Sequence, residues 1–181
     1  NYSQKFFSYQ NSADAVETLY EFCSSAKHKD NVEEVFYSLH NMAISKLGFS
    51  FTSIGFINSQ ANCINLKLLD RIGNAYSSRA RLSETQNPIV RAFIDKIPQN
   101  ITNTDFLNVS YLNKSHAVVF PMIFQGECVG ILMAGYNDLN QQNMDILSIL
   151  SDYLTLYVFY QQLAEKVTLH RDVDALTSLK N

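Results

Sequence analysis

The side chains able to do chemistry are few and scattered. Cys23, Cys63 and Cys128 are far apart and odd in number. That argues against a disulfide framework and fits a reducing compartment. None belongs to a C-x-x-C pair, so no zinc site is indicated. Of the four histidines, His28 and His40 lie on or beside N-terminal helices, and His170 reads as a solvated or seam residue. His116 begins a strand and is the one histidine that can be placed near a pocket. The polar stretch 71–86 holds Tyr76, Arg79 and Arg81, and Phe93 follows on a helix. The fixed fork of arginine suits carboxylate or phosphate. These residues could meet an anionic small ligand, with Phe93 as an apolar wall; solvated loop arginines are the alternative.

The chain of 181 residues is 46% apolar and 17% charged, which suits a globular domain with extra helices. A net charge of −3 with no Lys/Arg run offers nothing to nucleic acid or to an anionic membrane surface. No apolar run is long enough to cross a bilayer. Three glycosylation sequons, at Asn100, Asn108 and Asn113, read as chance in the absence of a secretory segment. A start at Asn1 and a stop at Asn181 in mid-pattern suggest a piece of a longer protein, and the cysteine usage suggests the cytoplasm.

These residues must be positioned by the elements around them. Residues 1–11 show no period and read as lead-in; Ser12 suits an N-cap before Val16, Leu19, Tyr20 and Cys23. A second helix opens at Asp30 or Asn31, carries Val35, Leu39, Met42, Ala43 and Leu47, and stops at Gly48. Residues 49–57 and 63–69 read as paired strands around a polar turn. The stretch 71–86 reads as a loop. Pro88 starts a helix that Pro98 ends, Ile101 lies in a short strand, and 104–113 is a loop or short helix. Residues 115–124 and 127–136 form a hairpin about Gln125-Gly126, with Pro121 marking an edge or bulge.

From Leu139 to Asp174 there is neither Pro nor Gly, and two apolar stripes share this helix. One is Leu147, Leu150, Leu154, Tyr157 and Val158. The other is Ile146, Ile149, Tyr153, Leu156, Tyr160, Leu163 and Val167, spaced 3-4-3-4-3-4. One face can cover the chain's own sheet. The second is expected to meet the same helix of a second copy in a parallel coiled coil. A bundle with the first two helices is the alternative.

The order helix, helix, hairpin, irregular segment with helix, hairpin, long helix resembles the GAF family across residues 31–165. The stretch Val119 to Ala134 is similar to that family's Pro-, Gly- and Leu-bearing hairpin, and Asn143 to Leu154 to its final helix. The resemblance implies an α+β fold of the PAS/GAF type. It has a central antiparallel sheet, helices on both faces, long terminal dimerisation helices and a ligand pocket. Residues 174–181 resemble the opening of a GGDEF domain, usually D-x-L-T-G-L-x-N. Asp174, Leu176, Thr177, Leu179 and Asn181 match, and Ser178 replaces the glycine. The resemblance implies a parent diguanylate cyclase that uses GTP and magnesium, with Asn181 contacting guanine. The catalytic signature itself is absent from this chain, so the segment alone makes no cyclic di-GMP. The expected organisation is a helical lead-in over 1–30, a sensor over 31–160, a signalling helix over 161–173 and a cyclase start over 174–181.

Several GAF ligands can be weighed on residues. Asn113-Lys114 lacks the later Phe and Asp-Glu of cyclic-nucleotide binders, and no cysteine is followed by the histidine usual at bilin attachment. His116 could in principle ligate haem, although ordinary hydrogen bonding suits a strand-end histidine better. No carboxylate–histidine cluster indicates iron. A free methionine sulfoxide reductase would need an activated cysteine pair. Cys63 and Cys128 could serve only from neighbouring strands. The sensor's cofactor is therefore left unassigned. The leading expectation is a homodimeric regulatory sensor with a small ligand or partner as input. The alternatives are a ligand-free dimerisation module and the reductase-type enzyme.

Overall fold

Asn31 opens α2 (Val32–Ser45): its side chain accepts from the Glu34 N–H at 2.9 Å, with Glu33 and Glu34 in the first turn. Gly48 follows the helix end at φ 73°. The computed structural model describes residues 2–102, 116–138 and 140–178, with side chains over 13–102, 116–138 and 140–171. The expected loop at 104–113 lies outside the described residues.

The preceding helix, α1 (Tyr2–Ala26), is longer than expected. Ser12 is inside it rather than capping it. The lead-in contains no Gly or Pro to stop the helix from extending backwards. Its later turns bury Phe22 and Ala26 in the core.

The sheet contains β1 (Phe51–Asn58), β2 (Cys63–Leu69), β3 (Ala75–Arg81), β4 (Gln99–Ile101), β5 (His116–Phe124) and β6 (Glu127–Tyr136). Strand order is β3-β2-β1-β6-β5-β4, with antiparallel pairing throughout. Strand β3 replaces the expected loop. It is an edge strand with one fully buried side chain, Ala80, and is held by backbone pairing to β2. Its residue types therefore carry little strand signal. The β5–β6 turn places Gln125 and Gly126 at φ 51° and 80°, as a two-residue hairpin with matching twist requires. Pro121 lies beyond the last residue that pairs with β4, and a register shift follows at Met122/Ile123. The missing N–H thus costs no bond to β4.

One face of the sheet packs against α1, α2 and α4 (Gln141–Ser178), burying Phe36, Leu39, Leu132, Leu147, Leu150 and Leu154. The other packs against α3 (Pro88–Asp95) through Phe51, Ile64, Ile89, Ile131 and Met133. Asn87 caps α3, and Lys96 ends it in the left-handed region, two residues before Pro98. Asn140 accepts from the Asn143 N–H at the start of α4.

Helix α4 has 38 residues, about 57 Å of rise. Phe22 packs edge-on to Tyr153, and Ala26 lies beside Tyr157, so α1 and α4 run in the same direction. Leu147, Leu150, Leu154 and Val158 are buried. Phe159 stacks on Phe124 at 4.0 Å between centroids. From Tyr160 to Arg171 every residue is exposed.

Candidate functional site

A cleft of about 440 Å³ opens on the helix-covered side of the sheet, between the first turns of α2, strands β1 to β3 and α4. Phe36, Ile54 and Phe56 form its apolar part. Asn65 and Ser77 come from β2 and β3, and Gln161 from α4. At the mouth, Glu33 of α2 pairs with Lys67 of β2. The Lys67 ammonium also lies 5.0 Å from the Tyr37 ring centroid. Its hydrogen bond to Glu33 holds that ammonium above the usual lysine range. Gln161 Oε1 accepts the Val32 N–H at 3.0 Å, filling one of the donors that a helix start leaves unpaired.

The residues singled out in the sequence do not converge here. On β3, Tyr76 and Ala80 pack with the α3-side core, and the intervening Arg79, with Arg81, is directed to the opposite face. Phe93 packs against the α3-side core. Tyr76 donates to Asp70 Oδ2 at 3.4 Å. His116 is exposed and stacks on Tyr136, with ring centroids 5.8 Å apart. Two arginines on one side and Tyr76 and Phe93 on the other do not form one anion site, because a strand alternates its side chains. Asn181 and Asn113-Lys114 lie outside the described residues.

In the interface stripe, Ile146 differs from the rest. It is 5% exposed and belongs to the chain's own core. Tyr153 is half-covered by Phe22. Ile149, Leu156, Tyr160, Leu163 and Val167 are exposed, from 43% to 65%. On α1, Val16 and Tyr20 are also exposed.

A second polar cluster is not foreshadowed by local residue patterns. His40 of α2 is buried, with Nδ1 2.7 Å from Thr52 Oγ1. Burial lowers its pKa, partly offset by nearby Asp70. Asp70 is also buried. Burial raises its pKa, but hydrogen bonds from Asn74 and from Ile72 and Tyr76 outweigh this and leave it lowered. A lone histidine among apolar helix positions offers no local signal that a strand threonine will meet it.

Cys63 lies on β2 and Cys128 on β6, with β1 between them, so they are not on neighbouring strands. Burial pushes the Cys128 thiol up, away from the reactive thiolate form. Among the described residues, no group of three His, Cys, Asp or Glu could hold a metal ion. None of the described helices is long and apolar enough to cross a membrane.

No protein-family model and no curated protein sequence matches the chain. Solved structures do. The GAF domain of a phosphoenolpyruvate-protein phosphotransferase from Coxiella burnetii aligns with a TM-score of 0.68 at 13% identity, covering 86% of this chain and 99% of its own. The nlh2 GAF domain of A. aeolicus, in an inactive state, gives 0.65 at 13%, covering 83% and 99%. Free methionine-R-sulfoxide reductase from Neisseria meningitidis gives 0.62 at 12%, covering 83% and 91%. With its six-stranded antiparallel sheet between α1, α2 and α4 on one face and α3 on the other, the chain has the GAF fold.

Proposed function

We propose that the chain is a regulatory sensor module. A small ligand or partner acts on the body, and paired α4 helices from two copies carry the response to a domain beyond residue 181. The observation that carries this reading is the apolar seven-residue rhythm Ile149, Leu156, Leu163 and Tyr160, Val167, left exposed on the outer side of α4 beside the body and beyond it. Full burial of one such side chain is worth about 1.5–3 kcal/mol. A second α4 is the simplest cover with the same repeat. Val16 and Tyr20 of α1 are exposed as well. The match of residues 174–181 to a GGDEF opening supports a diguanylate cyclase as the downstream partner. Three unpaired cysteines fit the cytoplasm. The A. aeolicus neighbour, described in an inactive state, supports a switchable role.

Sedimentation equilibrium tests the dimer. The chain should sediment as a dimer, and Leu156→Asp and Leu163→Asp as folded monomers. Two variants that remain dimeric would refute the seam. Adding the downstream sequence and assaying cyclic di-GMP formation from GTP tests the cyclase connection. Dense apolar filling of the α3 side favours the second reading, a dimerisation module with no ligand on that face. Reductase chemistry loses support because β1 separates Cys63 from Cys128.

A further inference from the structure

We propose that the cleft between α2, the β1–β3 end of the sheet and the base of the rod binds a free apolar α-amino acid. This deepens the sensor reading, on which it rests, by naming the input. Charge complementarity points to this ligand. Glu33 and Lys67 stand on facing walls, one from helix and one from sheet. A nucleotide or other net anion would meet Glu33, and a simple amine would meet Lys67. A zwitterion satisfies both, its ammonium on Glu33 and its carboxylate on Lys67. Ion pairs this exposed contribute little to stability, so separating the pair for a ligand costs little. Phe36, Ile54 and Phe56 supply an apolar surface for the ligand's side chain. Asn65 and Ser77 add neutral hydrogen-bonding groups.

The cleft also touches the output. Gln161 lines it, and its bond to Val32 ties the first exposed turns of the rod to α2. Leu163, two residues on, lies about 200° further round the helix. One turn of α4 thus faces the ligand with one side and the seam with the other.

Calorimetric titration of the whole chain tests the proposal, using L-phenylalanine, L-leucine, L-methionine and L-valine as probes. Phenethylamine and 3-phenylpropionate, each lacking one charge, are the controls. At least one amino acid should bind saturably in the millimolar range or below. The controls should bind at least about tenfold more weakly. Lys67→Met and Glu33→Gln should each weaken binding by a similar factor, and Ser77→Trp should block it. No saturation by any of the four, or equal binding by the controls, or unchanged affinity in Lys67→Met, would overturn the site. Hydrogen exchange across 159–171 should change on saturation and should not change in Gln161→Ala; no change in either overturns the coupling. Sedimentation of the same samples separates the two readings. A dimer that binds nothing overturns the cleft alone, and a monomer that binds overturns the paired rod alone.

Discussion

The Tyr157 hydroxyl lies 3.0 Å from the carbonyl oxygen of Ala26 and 3.1 Å from that of Lys29, closing the end of α1 onto the middle of α4. The Ala26 carbonyl also accepts from the Lys29 N–H at 3.0 Å, so the Tyr157 hydroxyl sits on the turn that follows α1. Tyr157→Phe removes the donor and keeps the ring. It should cost about 1 kcal/mol, or about 2–4 °C in Tm for a chain of this size. Hydrogen exchange should quicken in the last turns of α1. An unchanged Tm with unchanged exchange would show that the hydroxyl does not hold α1.

Ile146 and Leu156 share one repeat but stand in different surroundings, at 5% and 43% exposure. Ile146→Asp puts a charge into the core and should destabilise the fold by about 4 kcal/mol or more. Leu156→Asp should leave the far-UV circular dichroism of the body intact and change only the sedimentation. Equal loss of folded signal in both would mean that α4 is buried on all sides.

Phe51 and Gly135 are registered partners on β1 and β6. A Cβ built on Gly135 would sit 2.0 Å from the Phe51 ring, which is wholly buried and has nowhere to move. Gly135→Ala should therefore cost about 1–3 kcal/mol by overpacking, read as a lower urea midpoint. Phe51→Leu in the same chain should recover part of that loss. If Gly135→Ala unfolds at the parent midpoint, the ring does not lie over the glycine.

His40 and Asp70 give the domain an acid limit of predictable sign. The His40 pKa is lowered in the fold, chiefly by burial. As pH falls below about 6.5 the unfolded chain takes up that proton first, and stability drops. The Asp70 pKa is lowered as well, despite burial, by its hydrogen bonds from Asn74, Ile72 and Tyr76. Its contribution is present above about pH 4 and is lost below it. Denaturant midpoints should fall from pH 7 to pH 5, and His40→Asn should flatten that slope while leaving the decline below pH 4. A slope unchanged in the variant would assign the upper step to another group.

Much of the fold is legible along the chain because local spacing encodes local structure. The alternation in 63–69, the capping asparagine at 31, the Gln125-Gly126 turn and the Pro-free run after Leu139 each act within a few residues, and each marks its element. Strand β3 is not legible. An edge strand is held by backbone bonds to β2, and those bonds leave no mark on residue type. The division of the candidate anion residues between two faces was hidden for the same reason: reading 71–86 as a loop removed the alternation that separates Tyr76 from Arg79 and Arg81.

By itself, the sequence determined the order of the elements other than β3 and the existence of a long helix with two apolar faces, because helical period depends only on spacing. Only the tertiary structure decided which part of the second face is already covered. Ile146 and Leu156 look alike in the repeat, but α4 lies with one side against the sheet and α1 as far as Phe159 and then leaves them. Burial depends on what stands opposite, and for α4 those neighbours come from α1 and a sheet assembled from distant parts of the chain. The cleft beside Gln161 arises in the same way, from residues separated by up to 129 positions that meet only when the layers close.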